Sequence, residues 1–207
     1  LYEIAAALIP IVEPINPVVN AKPVTYEQGR LDTFWLVDVI GMEKYQSVFE
    51  LRLVTPHAYW YVEEGQNVSQ DDLEQAAVEF ENTVYPRVSG VFGTEWIPGV
   101  DNDPHLNILN ADLKGVGGYF SSGDEYPVSI KPNSNQREVI YLNTAAIPVS
   151  SRTYIQVLAH ELQHAIHWNA DKSEESWVNE GLAELASAIS GLESGSIRRF
   201  LHSGPTS

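Results

Sequence analysis

The chain has 207 residues, of which 43% are hydrophobic and 10% aromatic, so it can bury a sizeable core in one domain or one and a half. Twelve basic against 28 acidic residues give a net charge of -16, and such a surface repels nucleic acid and anionic membranes. The absence of cysteine excludes disulfides and thiolate metal sites. The acidic surface suits a soluble, secreted or cell-surface protein, and no apolar run is long enough to span a membrane.

The first third of the chain predicts an extended segment followed by β-structure. Prolines at positions 10, 14, 17 and 23 indicate that residues 1–32 form an extended N-terminal segment. Three runs rich in Val, Phe, Tyr, Trp and Leu then predict strands, and we expect them to form a hairpin or small antiparallel sheet within residues 33–66. These runs are Thr33 to Val39, Ser47 to Val54 and His57 to Val62.

The remainder, residues 67–207, predicts a mixture of helices and strands, which makes the fold class α+β. A helix capped by Ser69 is expected to end near Val84, because Pro86 follows. The other predicted elements are a strand at His105 to Leu109, a glycine-rich loop at Gly115 to Asp124, a strand at Glu138 to Leu142, a helix from Ser150 or Ser151 to about Trp168, and a helix from about Glu175 to Ser190, stopped by Gly191.

The helix before Trp168 contains the run His160-Glu161-Leu162-Gln163-His164. Residues four apart lie on one face of a helix, so both histidines can direct a nitrogen at one ion. Zinc is held by neutral imidazoles in this way, and its catalytic sites typically use three protein ligands and a water. Glu161 is offset by about 100° around the helix. It can therefore take a proton from the water that the metal activates, as a general base does.

The third ligand is expected on the last predicted helix, within Trp177-Val178-Asn179-Glu180-Gly181. Fifteen residues separate His164 from Glu180, enough to end one helix, turn and bring the next across it. We assign Glu180 to the metal. Glu184 shares its face and is predicted to orient a ligand histidine. Leu182, Leu185, Ala186 and Ile189 cluster on another face and are predicted to be buried.

His167 lies on the same helix face as the two histidines of the motif. It follows His160 by seven residues, or roughly 10 Å along a straight helix, so all three cannot reach one small ion. A place on the rim of the site or in contact with substrate remains for it, and an ordinary polar-face histidine is the alternative.

Together, His160-Glu161-Leu162-Gln163-His164 and Trp177-Val178-Asn179-Glu180-Gly181-Leu182 resemble the gluzincin metallopeptidases, and the second run resembles the glutamate helix of hyicolysin-type secreted bacterial peptidases. The resemblance implies a zincin-like catalytic subdomain, with a twisted mixed sheet, a motif helix, a glutamate helix and an edge strand that binds extended peptide. It also implies secretion. The edge strand is expected near Gly117 to Ser122, with Tyr119 as a further substrate or rim candidate.

One part of the gluzincin pattern is not found. Gluzincins usually carry a tyrosine or histidine, often after the glutamate helix, that stabilises the oxyanion. After Glu184 this sequence offers His202 and no tyrosine, and Ser203 to Ser207 reads as a loop. Either such a residue comes from upstream, or the sequence ends before a C-terminal subdomain that carries it.

The sequence therefore predicts a zinc peptidase with a peptide or protein substrate, with Zn²⁺ on His160, His164 and Glu180 and with Glu161 as the base. One alternative is a zinc-binding or peptide-binding module of the same ancestry with little catalysis. Another is a calcium-binding, adhesin-like domain, indicated by Asp101-Asn102-Asp103 and the acidic surface. That run lacks the spacing of an EF-hand loop. The oligomeric state is not indicated by any pattern.

Overall fold

A computed structural model describes residues 15–172 and 176–191, with Ser176 described by its backbone alone. The expectations for residues 1–14 and for His202 and Ser203 to Ser207 lie outside this part. Residues 15–30 contain no helix or strand, as predicted, and lie against the loop at 99–102. There the Val19 N–H donates to the carbonyl of Val100 at 2.7 Å. No helix within the described residues is long and apolar enough to cross a membrane.

The fold is α+β, with one curled sheet of six strands. The strands are β1 (Leu31–Asp38), β2 (Glu43–Val54), β3 (Ala58–Glu63), β4 (Leu106–Ala111), β5 (Gly118–Phe120) and β6 (Val139–Asn143). Their order across the sheet is β1-β2-β3-β4-β6-β5, in which β3, β4 and β6 run parallel and the other pairs antiparallel. The β-structure expected within 33–66 is antiparallel, as predicted. However, it belongs to the same sheet as the later strands because β3 pairs with β4.

Side chains alternate between the two faces of the sheet. Trp60, Ile108 and Leu142 belong to a core shared with the helices. Tyr61, Leu109 and Tyr141 belong to a second core on the other face. The sheet curls around this second core, so that β1 approaches the loop after β5: the Trp35 backbone exchanges hydrogen bonds of 2.8 and 2.9 Å with the side chain of Asn135.

Within residues 15–172 and 176–191, four α-helices accompany the sheet: α1 (Gln70–Glu79), α2 (Tyr85–Phe92), α3 (Arg152–Ala170) and α4 (Ser176–Ile189). Ser69 and Ser151 cap α1 and α3 with their side chains, as predicted. The expected end near Val84 is wrong, because the helical path continues to Phe92 through a π-helical turn at Phe80–Val84. Pro86 stands in the first turn of α2, directly after this π-helical turn.

The segment expected to be a glycine-rich loop contains the edge strand β5. Gly118 is required there, since a Cβ at this position would lie 2.6 Å from Val157 of α3 and 2.9 Å from the carbonyl oxygen of Tyr141. This close approach brings β5 against the helix that carries the two motif histidines.

Candidate metal centre

Helix α3 separates an apolar side from a side that carries the candidate ligands. The predicted apolar arc is buried throughout: Tyr154, Ile155, Leu158, Ala159, Leu162, Ala165 and Ile166. His160 and His164 remain partly exposed on the other side. Because burial of the apolar arc fixes the rotation of α3, the two imidazoles face α4 and the cleft beside it.

Helix α4 packs on α3 through small side chains. Ala183 and Ala186 are fully buried, and the Ser187 hydroxyl donates to the carbonyl of Gln156 in α3 at 3.0 Å. The prediction that Leu185 is buried is wrong, as its exposed fraction is 41%. The buried stripe follows the alanines and serines instead, because short side chains let the two helix backbones approach closely.

His160, His164 and Glu180 converge on one point. Their ligand atoms all lie within 4.8 Å of one another. The two Nε2 atoms are 3.0 Å apart, and the Glu180 carboxylate oxygens lie 3.5 Å from Nε2 of His160 and 3.7 Å from Nε2 of His164. Tetrahedral zinc with ligands at 2.0–2.1 Å requires ligand atoms about 3.3 Å apart. The donor types and their spacing therefore fit zinc.

The other nitrogen of each imidazole faces a hydrogen-bond acceptor. Nδ1 of His164 lies 2.9 Å from Oδ1 of Asn179, and Nδ1 of His160 lies 4.0 Å from the carboxylate of Glu184. A proton on each Nδ1 leaves both Nε2 lone pairs free for a cation. Sequence reasoning assigned this orienting role to Glu184 and missed Asn179, although Asn179 directly precedes Glu180 in the motif.

Glu161 is buried between the candidate ligands and the edge strand. Its side chain lies next to β5, where the Phe120 N–H donates to the carboxylate. Burial raises the pKa of Glu161 to about 8, against the lowering effect of the Phe120 hydrogen bond and with a further rise from the charge of Glu180. Burial and the neighbouring His164 lower the pKa of His160, which favours the neutral, metal-binding imidazole.

Two cavities flank the candidate ligands. One of about 350 Å³ lies on the His164 side, and its lining includes Phe120, His167 and Glu180. The other, of about 470 Å³, lies on the His160 side, and its lining includes Gly118 and Glu161. Both cavities are in the size range of ligand pockets, and β5 contributes to both. The arrangement is a cleft that follows an unpaired strand edge past the site.

The two candidates for substrate contact lie in different places. His167 lines the cavity beside His164, which agrees with a place on the rim. Tyr119 lies on the opposite face of the sheet, where its ring stacks on Tyr141 at 4.2 Å and its hydroxyl accepts the Val37 N–H at 3.2 Å. A role for Tyr119 in the cleft has no support in this position, because residues of one strand alternate between faces.

No tyrosine lines either cavity among the described residues. The histidine that lines a cavity there, besides the two candidate ligands, is His167. Comparison of the sequence with models of known protein families and with curated proteins finds no match.

Proposed function

We propose that the chain is a zinc-dependent peptidase of the gluzincin type. The observation that carries the proposal is the convergence of His160, His164 and Glu180 within 4.8 Å, with Glu161 next to them on the side of the edge strand. Two neutral imidazoles, one carboxylate ligand and an adjacent buried carboxylate are the parts that zinc-assisted hydrolysis requires.

Zinc, when bound, supplies Lewis-acid polarisation of the scissile carbonyl and makes water at the site more acidic. Glu161 is the proton acceptor for the attacking water and then the donor to the leaving amine. Its pKa of about 8 lies above the ordinary range because of burial, and a cation held by His160, His164 and Glu180 would lower it. The Phe120 N–H fixes the carboxylate in place, while Asn179 orients His164.

The proposed substrate is an extended peptide. Strand β5 pairs with β6 on one side only and forms the edge of the sheet. A peptide added to this edge as a further strand would cross the site beside Glu161, which supports the proposal. Because the chain carries a net charge of -16, we expect basic peptides to associate faster than acidic ones. We further propose that the protein is secreted by or displayed on a bacterial-type cell, in line with its motif resemblance.

A digest of casein tests this proposal. Protein depleted of metal with a chelator is compared with the same protein after stoichiometric zinc is restored. We expect hydrolysis to stop on depletion and to return with zinc. Undiminished hydrolysis by protein shown by elemental analysis to contain no metal would contradict the proposal.

A second candidate is a peptide-binding module that retains zinc and has little catalysis. One observation favours it: no tyrosine lines the cleft within the described residues. The same digest separates the two candidates when peptide binding is measured in parallel. Binding that depends on zinc, with no cleavage, would identify the module.

A further inference from the structure

A second group of acidic side chains lies in the loops before β4 and β6. Asp101, Glu125 and Glu138 are each 2% exposed. Each keeps one carboxylate oxygen without a hydrogen-bond donor: Oδ2 of Asp101, Oε2 of Glu125 and Oε2 of Glu138. The amide oxygen of Asn107, which is fully buried, also lacks a donor. Buried oxygens without partners are rare and destabilising, so each of them needs a proton, a water or a cation beside it.

Two neighbouring buried acids accept hydrogen bonds from donor groups of the chain itself. Asp124 accepts from the Asn135 N–H and the Tyr141 hydroxyl, both at 2.7 Å. Asp103 accepts from the His105 N–H at 3.0 Å and from the Tyr59 hydroxyl at 2.8 Å. Among the buried acids of these loops, the oxygens without partners therefore belong to Asp101, Glu125 and Glu138, and a second set lies near the histidine site.

The carboxyl groups of Glu125 and Glu138 lie in direct contact with each other. Glu138 is held in position by the Val100 N–H, which donates to Oε1 at 2.8 Å, and by Gly99, where a Cβ would overlap the carboxylate. The positive charge that lowers the pKa of Asp101 is that of Arg137. Its guanidinium already donates to Asp32 at 3.3 Å. The charges that act on Glu125 and Glu138 come from other acids and not from a lysine or arginine of the described residues, so a proton or a metal cation must lie between the two carboxylates.

We propose that Glu125 and Glu138 bind a calcium ion, with Asp101 and Asn107 as the adjacent oxygens. Carboxylate and amide oxygens without nitrogen or sulfur donors are the ligands of a hard cation, and calcium accepts six to eight of them with flexible geometry. Asp101 does not converge with the pair as closely as the zinc ligands converge with one another. It therefore contributes charge, or a ligand through a bridging water, and the two glutamates are the direct ligands.

Two further observations agree with this assignment. Burial raises the pKa of Glu138 to about 8 and that of Asp101 to about 7, and it raises the pKa of Glu125 well above its usual range. In addition, the loop of residues 121–138 is long and contains no helix or strand, and long loops in compact domains are usually functional when they are ordered.

The site joins two loops that contact the end of the motif helix. Asp101 belongs to the loop at 93–105, and Glu125 to the loop at 121–138. The ring of Trp168, in α3, lies 6.2 Å from the ring of Trp96 in the first loop and 5.8 Å from that of Tyr126 in the second. Calcium would link the two loops on either side of Trp168 and so stabilise the wall of the cavity beside His164.

Thermal unfolding with and without CaCl₂ tests the proposal, on full-length protein that elemental analysis shows to be free of calcium. Calcium at about 100-fold its Kd should raise the Tm by about 5–10 °C. Glu125→Gln should remove this rise without loss of stability in the absence of calcium, because the new amide can donate to Glu138. Glu95→Gln is the matched control, since Glu95 is equally buried but both of its carboxylate oxygens lie within hydrogen-bond distance of the Tyr85 hydroxyl. It should retain the calcium response.

Three results would overturn the assignment. The first is no Tm rise in the parent protein, which would leave a shared proton between the glutamates. The second is an equal rise in Glu125→Gln. The third is a rise that disappears in His160→Ala, which would place the calcium at the histidine site. A magnesium response equal to that of calcium would contradict the choice of ion. None of these readouts depends on hydrolysis, so the calcium site and the peptidase can fail separately.

Discussion

The two candidate metal sites differ in exposure, in donor atoms and in the way that the chain assembles them. The His160 site has imidazole nitrogens on one helix, and its third ligand, Glu180, keeps 60% of its side chain exposed. The Glu125 and Glu138 site has oxygens alone, brought together at the two ends of one long loop and almost fully buried. An open nitrogen-rich site can admit a substrate, whereas a closed oxygen site can only hold its ion. We therefore infer that the first site carries out the hydrolysis and that the second stabilises the fold.

The largest effect is expected where the open site loses an imidazole. His164→Ala removes one of three converging ligands, and we expect zinc retention and hydrolysis both to fall below detection. The buried acids are not in contact with this side chain, so the calcium-dependent rise in Tm should persist. Elemental analysis and thermal unfolding of the same sample check both parts. Full zinc occupancy in His164→Ala would show that the ligand set is wrong.

The next largest effect is expected at the residues that orient the two imidazoles of the open site. Asn179→Ala removes the acceptor 2.9 Å from Nδ1 of His164, and we expect zinc affinity to fall about 10–100-fold. Glu184→Ala should cost less, because its carboxylate lies 4.0 Å from Nδ1 of His160. Competition with a fluorescent zinc chelator measures both variants. An equal or larger loss in Glu184→Ala would reverse this ranking.

This ranking shows what could be predicted from the sequence. His160, Glu161 and His164 were predictable because helical periodicity alone sets their geometry, and Glu180 because the chain length to the next helix limits its position. The role of Asn179 depends on the rotation of α4 about its own axis. That rotation follows the buried Ala183 and Ala186 rather than the expected Leu185, so the pattern of large apolar residues gave the wrong face.

Long-range contacts could not be predicted in the same way. The pairing of β3 with β4 joins strands separated by more than 40 residues, and no local pattern marks it. The contact between Glu125 and Glu138 arises because the loop after β5 returns to the start of β6. The Asp101-Asn102-Asp103 run indicated calcium only weakly, since the two glutamates are remote from it in sequence. The π-helical turn before Pro86 could not be predicted from the sequence either, because it depends on tertiary packing of Phe80 and Val84.

The pKa of a half-buried acid with basic partners should shift in the opposite direction to those of the unpaired glutamates. Burial alone would raise the pKa of Asp32, but the hydrogen bond from Arg30 and the charge of Arg137 outweigh it and hold this pKa below its ordinary value. Its contribution to stability is therefore present above the ordinary carboxyl range and is lost as the pH falls through the lowered pKa.

Asp32→Asn should lower the free energy of unfolding by about 2 kcal/mol at neutral pH, because Arg137 loses its charged partner. The variant should also lose less stability on acidification than the parent protein. Urea unfolding at neutral and acidic pH measures both quantities. An identical pH dependence in the two proteins would contradict the pairing.

The smallest effect is expected on the face of the sheet away from the cleft. Tyr119→Phe removes the hydroxyl that accepts the Val37 N–H, and it should lower stability by about 1 kcal/mol while kcat/KM stays unchanged. Urea unfolding and a peptide cleavage assay measure the two quantities. A large loss of kcat/KM at unchanged stability would place Tyr119 in the cleft after all.

Glu161→Gln tests the central claim most directly, with zinc content and peptide cleavage measured on the same preparation. The substitution keeps the shape of the side chain and removes its ability to accept a proton, while His160, His164 and Glu180 remain. The account predicts full zinc occupancy and a loss of cleavage of at least about 100-fold. Cleavage equal to that of the parent protein, with zinc still bound, would contradict it.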